Sequence, residues 1–224
     1  LSVHDGLSQN SAISVAQDSI GYLWIATQDG LNQYDGRNFT IHPYTFVDIT
    51  RSNFSYLGKV YTDRRGDVWI IPMDRKPYKL DRATNTFVPL EGVGDASAIF
   101  MDMDFNLWIG TYSGDLYEKK EGEEKAVMRQ FNPEIRGAVY SIAQNPSGVL
   151  LLTMDKHIVE FNAQTNIRYP KKFQDVLGNM IHANYSDVVF DNQDREWIAT
   201  FGNGLFYRFT GESVLRRLND LPFK

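Results

Sequence analysis

All four tryptophans of the chain, Trp24, Trp69, Trp108 and Trp197, stand six residues after an aspartate: Asp18, Asp63, Asp102 and Asp191. A fifth copy of the spacing has both ends changed, to Asn145 and Leu151. With Leu151 counted in the series, successive marker positions lie 45, 39, 43 and 46 residues apart. Units of this size cannot each enclose a core, so each must bury its apolar face against the next. A period of about 40–45 residues with one aromatic-marked hairpin per unit is the sequence form of a propeller blade.

The first unit shows why. Ala12 to Gln17 and Tyr22 to Thr27 are β-rich runs too short for helices. The turn between them holds Asp18, whose carboxylate can accept backbone N–H bonds, and Gly21, which supplies a left-handed conformation. Trp24 is then placed to fill the space between facing sheets. A turn at Gln28-Asp29-Gly30 leads to a third run, Leu31 to Tyr34, and Gly36 leads to a fourth, Asn38 to His42. Four short antiparallel strands make one blade.

The fold class expected is therefore all-β, a propeller of four-stranded antiparallel blades. About five blades fall near residues 12–42, 59–88, 98–131, 139–169 and 188–218, and residues 1–224 form one propeller region. Five blades must close into a ring or leave exposed edges. The leading residues and the end at Lys224 suggest a region incomplete at its C-terminal end and part of a larger, seven-bladed ring. Leu1 to Val3 reads as a strand that closes the last blade, and Val214 to Leu218 as the final strand. Phe105 stands where the first unit has Gly21, so its turn is expected to use Asp104 or Asn106 in the special conformation. Asp194 also takes a glycine place. Pro72-Met73-Asp74-Arg75-Lys76-Pro77 replaces a small turn, Glu118 to Lys125 reads as a solvated hairpin tip, and Pro43 to Gly58 is a long connection of the kind that often carries function.

Composition narrows the function. Hydrophobic residues make up 42% and aromatic residues 13%, which suits a folded, strand-rich domain and excludes disorder. A net charge of −5 gives no broad basic surface for nucleic acid. There is no cysteine, hence no disulfide or thiolate metal site, and the histidines His4, His42, His157 and His182 have no zinc spacing. No metal or cofactor is expected. No run is long and apolar enough to span a bilayer, and Leu1 to Gly6 is no signal peptide, so any anchor would lie outside this chain. Neither a serine nucleophile elbow nor a phosphate-cradling glycine loop is present, and no catalytic residue is assigned.

In a propeller, the turns from second to third strand and the connections between blades gather on one face around the channel. Ligand-binding candidates there are Gln28, Asp29 and Tyr56; Asp74, Arg75 and Tyr112; and Arg136, Lys156, Tyr185 and Asn203, with Asn10, Phe54, Asp155 and Phe201 beside them. Aromatic planes next to Arg, Asp and Asn suit a sugar, and equally a protein partner. The aspartates and tryptophans of the repeat are read as structural.

The stretch from Gly6 to Tyr44, with GLSQN, VAQD and GYLWIATQDGLNQYDG followed by Phe39, resembles the opening blade of the two-component regulator propeller family. The likeness extends to the third and fifth units and is weak in the fourth. It implies the periplasmic sensor region of a Bacteroides-type hybrid histidine kinase. Such a sensor binds an oligosaccharide, works as a homodimer, relays the signal across the inner membrane and regulates polysaccharide utilisation. The histidine kinase would lie outside these residues, and this chain would be no enzyme. The Asp-x-x-Gly-x-x-Trp turn also resembles the Asp-box of sialidase-type propellers, which leaves a carbohydrate-active lyase or hydrolase open. A purely structural or protein-interaction propeller remains the other alternative.

Overall fold

The structure, a computed structural model, describes residues 1–42, 57–129, 135 and 137–218. The first sheet comprises β1 (Ala12–Gln17), β2 (Leu23–Thr27), β3 (Gly30–Tyr34) and β4 (Phe39–His42), and the second β5 (Leu57–Thr62), β6 (Val68–Pro72), β7 (Tyr78–Asp81) and β8 (Thr86–Pro89). The third holds β9 (Ala96–Met101), β10 (Leu107–Thr111), β11 (Leu116–Lys119) and β12 (Val127–Arg129). The fourth holds β13 (Val139–Gln144), β14 (Leu150–Met154), β15 (His157–Asn162) and β16 (Ile167–Pro170), and the fifth β17 (Asn184–Phe190), β18 (Arg195–Phe201), β19 (Gly204–Phe209) and β20 (Arg216–Arg217). Each is an antiparallel meander, and the five form a β-propeller.

The Asp-to-Trp spacing is a hydrogen-bond device. One Asp18 oxygen accepts the backbone N–H groups of Ile20, Gly21 and Tyr22, and the other accepts the Trp24 indole N–H at 2.9 Å. The indole bond recurs at 2.8 Å from Trp69 to Asp63, 2.8 Å from Trp108 to Asp102 and 2.9 Å from Trp197 to Asp191. The turn is closed and the buried indole is satisfied by a single carboxylate. In blade 4 Asn145 still accepts the N–H groups of Ser147 and Val149, and Leu151 has no donor to satisfy, so a neutral amide suffices. Burial pushes the Asp18 carboxyl upward, but donors from Trp24, Tyr22, Ile20 and Arg82 outweigh it and hold it below the usual aspartate value.

In blades 1 to 3 the tryptophan-bearing face, and in blade 4 the Leu151 face, packs on the following blade. Trp24, Ala26 and Leu31 meet Val60, Val68, Ile70 and Leu80 of blade 2. Trp69 and Ile71 meet Ile99, Leu107 and Ile109 of blade 3, while Trp108 meets Ile142, Leu152 and Phe161 of blade 4. Leu151 and Ile158 meet Val188, Ile198 and Phe206 of blade 5. Among the described residues no such core joins blade 5 to blade 1. Trp24, Trp69 and Trp108 are therefore at most 7% exposed, whereas Trp197 is half-buried beside Val189, which is 53% exposed. At the other end of the array Val15 of β1 is 63% exposed.

Several local expectations are corrected. Leu1 to Val3 is not a closing strand: Val3–Asp5 is one turn of 3-10 helix, because the Asp5 carboxylate caps Ser2 and Gly6 ends the turn at φ 106°. The chain then seats Leu7 in the core and ties Ser8 to Asn32 of blade 1. In blade 3 Phe105 itself takes the left-handed conformation, at φ 62°, as Asp194 does at φ 58° in blade 5. The Asp102 carboxylate fixes that turn through Asp104 and Asn106, so the residue in the glycine place must comply. Glu118 is not part of a solvated tip but buried in β11, paired with Arg129 at 3.0 Å. The last strand is only Arg216–Arg217, since Val214 turns aside to bridge Gln174 of the preceding connection.

Candidate ligand-binding face

The innermost strand of every blade bulges at the same level. Pairing skips Ile13 between Ala12 and Ser14, Gly58 between Leu57 and Lys59, and Ser97 between Ala96 and Ala98. It likewise skips Tyr140 before Ser141 and Ser186 before Asp187. A bulge bends its strand and re-aims side chains, which is why bulges collect at barrel rims and beside sites. At Gly58 a Cβ would sit 2.6 Å from the Ile71 carbonyl oxygen, so this bulge tolerates only glycine. The bulges bring Ile13, Ser14, Lys59, Tyr140, Ser141 and Asp187 to a channel of about 630 Å³. That size falls within the roughly 300–1,000 Å³ typical of ligand pockets.

Lys59 is reached by channel solvent yet walled in by the neighbouring strands, and its ammonium donates to the Tyr140 carbonyl oxygen. Withdrawal from bulk water lowers its pKa, an effect that the Asp187 carboxylate partly offsets.

Above the channel, turns and inter-blade connections hold two side-chain clusters. Arg75 donates to Asp95 at 2.6 Å and lies 4.4 Å over the Tyr112 ring, which remains 44% exposed. The hydrogen bond to Asp95 raises the Arg75 pKa, so this guanidinium stays charged. Main-chain bonds from Ala96 to Arg75 and from Tyr112 to Asp95 fix the three segments together. In the second cluster the Tyr140 hydroxyl donates to Asp155 at 2.6 Å, and the Tyr140 ring meets Phe201 edge-on at 5.9 Å. The bond to Asp155 raises the Tyr140 pKa, with a smaller influence from Tyr112. Phe201 is 58% exposed. Exposed aromatic planes beside fixed donors and acceptors can stack on a ring and bind its hydroxyls.

Of the sequence candidates, Arg75 and Tyr112 come together. Asp74 accepts from the Tyr78 hydroxyl at 2.7 Å, and Gln28 accepts from Gln9 at 3.1 Å, with Asp29 exposed beside it. Lys156 and Asn203 are exposed in the β14–β15 and β18–β19 turns of the same face. Tyr185 is not on the surface. It is 3% exposed in the core between blades 4 and 5, its ring edge-on to Phe173, because the bulge at Ser186 lets its side chain point inward. Tyr56, Arg136 and Phe54, with most of the 43–58 connection, lie outside the described residues. Sequence reasoning missed Lys59, Tyr140 and Asp187. A usable signal existed: Ser14, Lys59, Ala98, Ser141 and Asp187 each stand four residues before the Asp or Asn marker.

Residues 6–29 match the family model described as two component regulator propeller. This first unit carries the two-component regulator propeller repeat. Over 46 residues the chain is 52% identical to Histidine kinase P4 of Formosa agariphila, a match that covers 20% of the chain and 3% of the kinase. Its fold is similar to the extracellular domain of the hybrid two component system BT4673 of B. thetaiotaomicron, with a TM-score of 0.72 at 17% identity, over 94% of this chain and 28% of that one. It is similar also to PorZ of the Porphyromonas gingivalis type-IX secretion system, with a TM-score of 0.65 at 13% identity, over 96% of this chain and 34% of that one. Virginiamycin B lyase from Staphylococcus aureus shares the fold as well, with a TM-score of 0.71 at 13% identity, over 95% of this chain and 71% of the lyase. The chain thus spans about a quarter to a third of the first two of these structures. Among its described residues no helix is long and apolar enough to cross a membrane.

Proposed function

We propose that this chain is the periplasmic sensing propeller of a hybrid two-component histidine kinase. In this reading its channel face binds an oligosaccharide, and a homodimer relays the signal through a membrane anchor outside these residues to genes of polysaccharide utilisation. One observation carries the binding half: Arg75 with Tyr112, and Tyr140 with Phe201, are held by carboxylates and main-chain bonds around one channel mouth before any ligand arrives. Such preorganisation lowers the ordering cost of binding. The signalling half rests on the repeat and on a relative named as a histidine kinase.

The likeness to a lyase keeps an enzyme in view. Of the candidate carboxylates Asp29, Asp74 and Asp155, Asp74 and Asp155 are each hydrogen-bonded to a tyrosine hydroxyl, which weakens the case for a facing acid and base pair, while Asp29 is exposed on the same face. A thermal-shift screen against defined oligosaccharides, with recovery of the sugar, separates the readings. A concentration-dependent rise with uncleaved glycan is expected. Cleavage would move the function to the enzyme, and no shift with any glycan would move it to an interaction scaffold.

A further inference from the structure

Lys59 is the unusual charge of the channel. Ile13, Val15, Val60, Ile71, Ile99 and Phe100 line the same space, and a cation there gives up much of its hydration. Among the described residues one of its three ammonium hydrogens is used, by the Tyr140 carbonyl oxygen. Among the described residues no carboxylate forms an ion pair with it, and Asp187, which shares the channel, directs an oxygen to the N–H of Val188. The Tyr140 hydroxyl is taken by Asp155, and Arg64 also lines the space. Among the described residues Lys59 therefore keeps donors to spare, and its charge, which the Asp187 carboxylate offsets only in part, faces a cavity of ligand size beside Tyr140. An anion seated there would complete the counter-charge that Asp187 supplies in part.

We infer that the channel binds a carboxylate anion, with the Lys59 ammonium as its anchor and the apolar strands packing the body that carries it. On the reading above, which this inference deepens, the carboxylate belongs to a uronic-acid unit of the oligosaccharide. A free small carboxylate offers the same chemistry from another source. The step is binding alone, with no bond made or broken.

The test uses the full chain with D-glucuronate, acetate and D-glucose, each up to about 10 mM, a weak-ligand range. Reductive methylation followed by peptide mass mapping reads the accessibility of the Lys59 amine, and calorimetry reads affinity. Glucuronate is expected to protect Lys59 and glucose is not. Lys59→Gln should weaken glucuronate at least about tenfold, while Asp187→Asn, which removes the competing carboxylate, should strengthen it. The second variant keeps the test valid if the first folds poorly. Protection by acetate equal to that by glucuronate would retain the carboxylate site and discard the sugar. Equal glucuronate binding by wild type and Lys59→Gln, or no glucuronate binding, overturns the inference. If glucose or another neutral sugar still binds at the aromatic face, the sensing reading survives that failure. If no sugar binds at all, both fall.

Discussion

Blade 4 poses a test of the repeat that the molecule has already performed once. There Asn145 and Leu151 stand for Asp and Trp together, as energetic coupling of the two positions would require. Blade 3 is the place to measure it, because Trp108 is fully buried and Asp102 is 4% exposed. Asp102→Asn preserves an acceptor for the N–H groups of Asp104 and Asn106 but turns an amide NH2 toward the Trp108 indole N–H, 2.8 Å away. Losing a charge-assisted bond to a buried donor costs about 1.5–3 kcal/mol. Trp108→Leu leaves space against Phe161 and Leu152 and costs about 2–4 kcal/mol. Once Trp108→Leu is in place Asp102 has no indole to serve, so adding Asp102→Asn should cost less than about 1 kcal/mol. Urea unfolding of the wild type, both single variants and the double variant should therefore give a coupling energy of about 0.5–3 kcal/mol. Strict additivity, with coupling below about 0.5 kcal/mol, would refute the hydrogen-bond account of the repeat.

Other expectations follow from named contacts. A Cβ on Gly110 would lie 2.4 Å from a Val139 methyl carbon, so Gly110→Ala should lose about 1–3 kcal/mol by forcing blades 3 and 4 apart, and Val139→Ala should restore part of it; no rescue would contradict the packing described. Acrylamide should quench Trp197 well ahead of the three sealed tryptophans, and Trp197→Phe should abolish the accessible fraction. A further blade packed on that face, as a larger ring requires, would shield Trp197, and unchanged quenching in a chain extended by such a blade would count against the larger ring. Asp191 is held well below the usual aspartate value by the Trp197 indole and by Arg195, as Asp18 is by its own donors. Both therefore favour the folded state above about pH 4, and that contribution disappears as pH falls through their folded values. Asp191→Asn should flatten the loss of stability below about pH 4, and an acid profile identical to wild type would sink this assignment. Burial pushes the Tyr61 hydroxyl up to about 12, so alkaline loss should begin as unfolded tyrosine ionises near pH 10 and continue toward that value.

The blades were legible because their signals are local. Asp18, Gly21 and Trp24 lie within one hairpin, and turn chemistry plus strand alternation determine what that hairpin does. Phe105 escaped because the Asp102 carboxylate, three residues earlier, imposes its conformation more strongly than side-chain preference resists it. Tyr185 escaped because the fifth unit reads from 188 and leaves it in the connection, whereas β17 starts at Asn184 and a bulge at Ser186 turns the Tyr185 side chain into the core. The same irregularity hid Lys59 and Asp187, whose role depends on five separate strands meeting at one level. Arg75 and Tyr112 were recognised as turn residues of a single face, but their stacking and the part of Asp95 come from segments some twenty to forty positions apart.

The central claim is that ligand recognition sits on the channel face. Hydrogen exchange of the full chain, with and without an oligosaccharide that raises its melting temperature, tests this most directly. Protection is expected in the turns at 28–29, 73–77 and 111–115, at Tyr140 and Asp155, and at 201–204. Protection confined to the opposite turns, at 18–22, 63–67 and 102–106, or spread evenly over all blades, would contradict it.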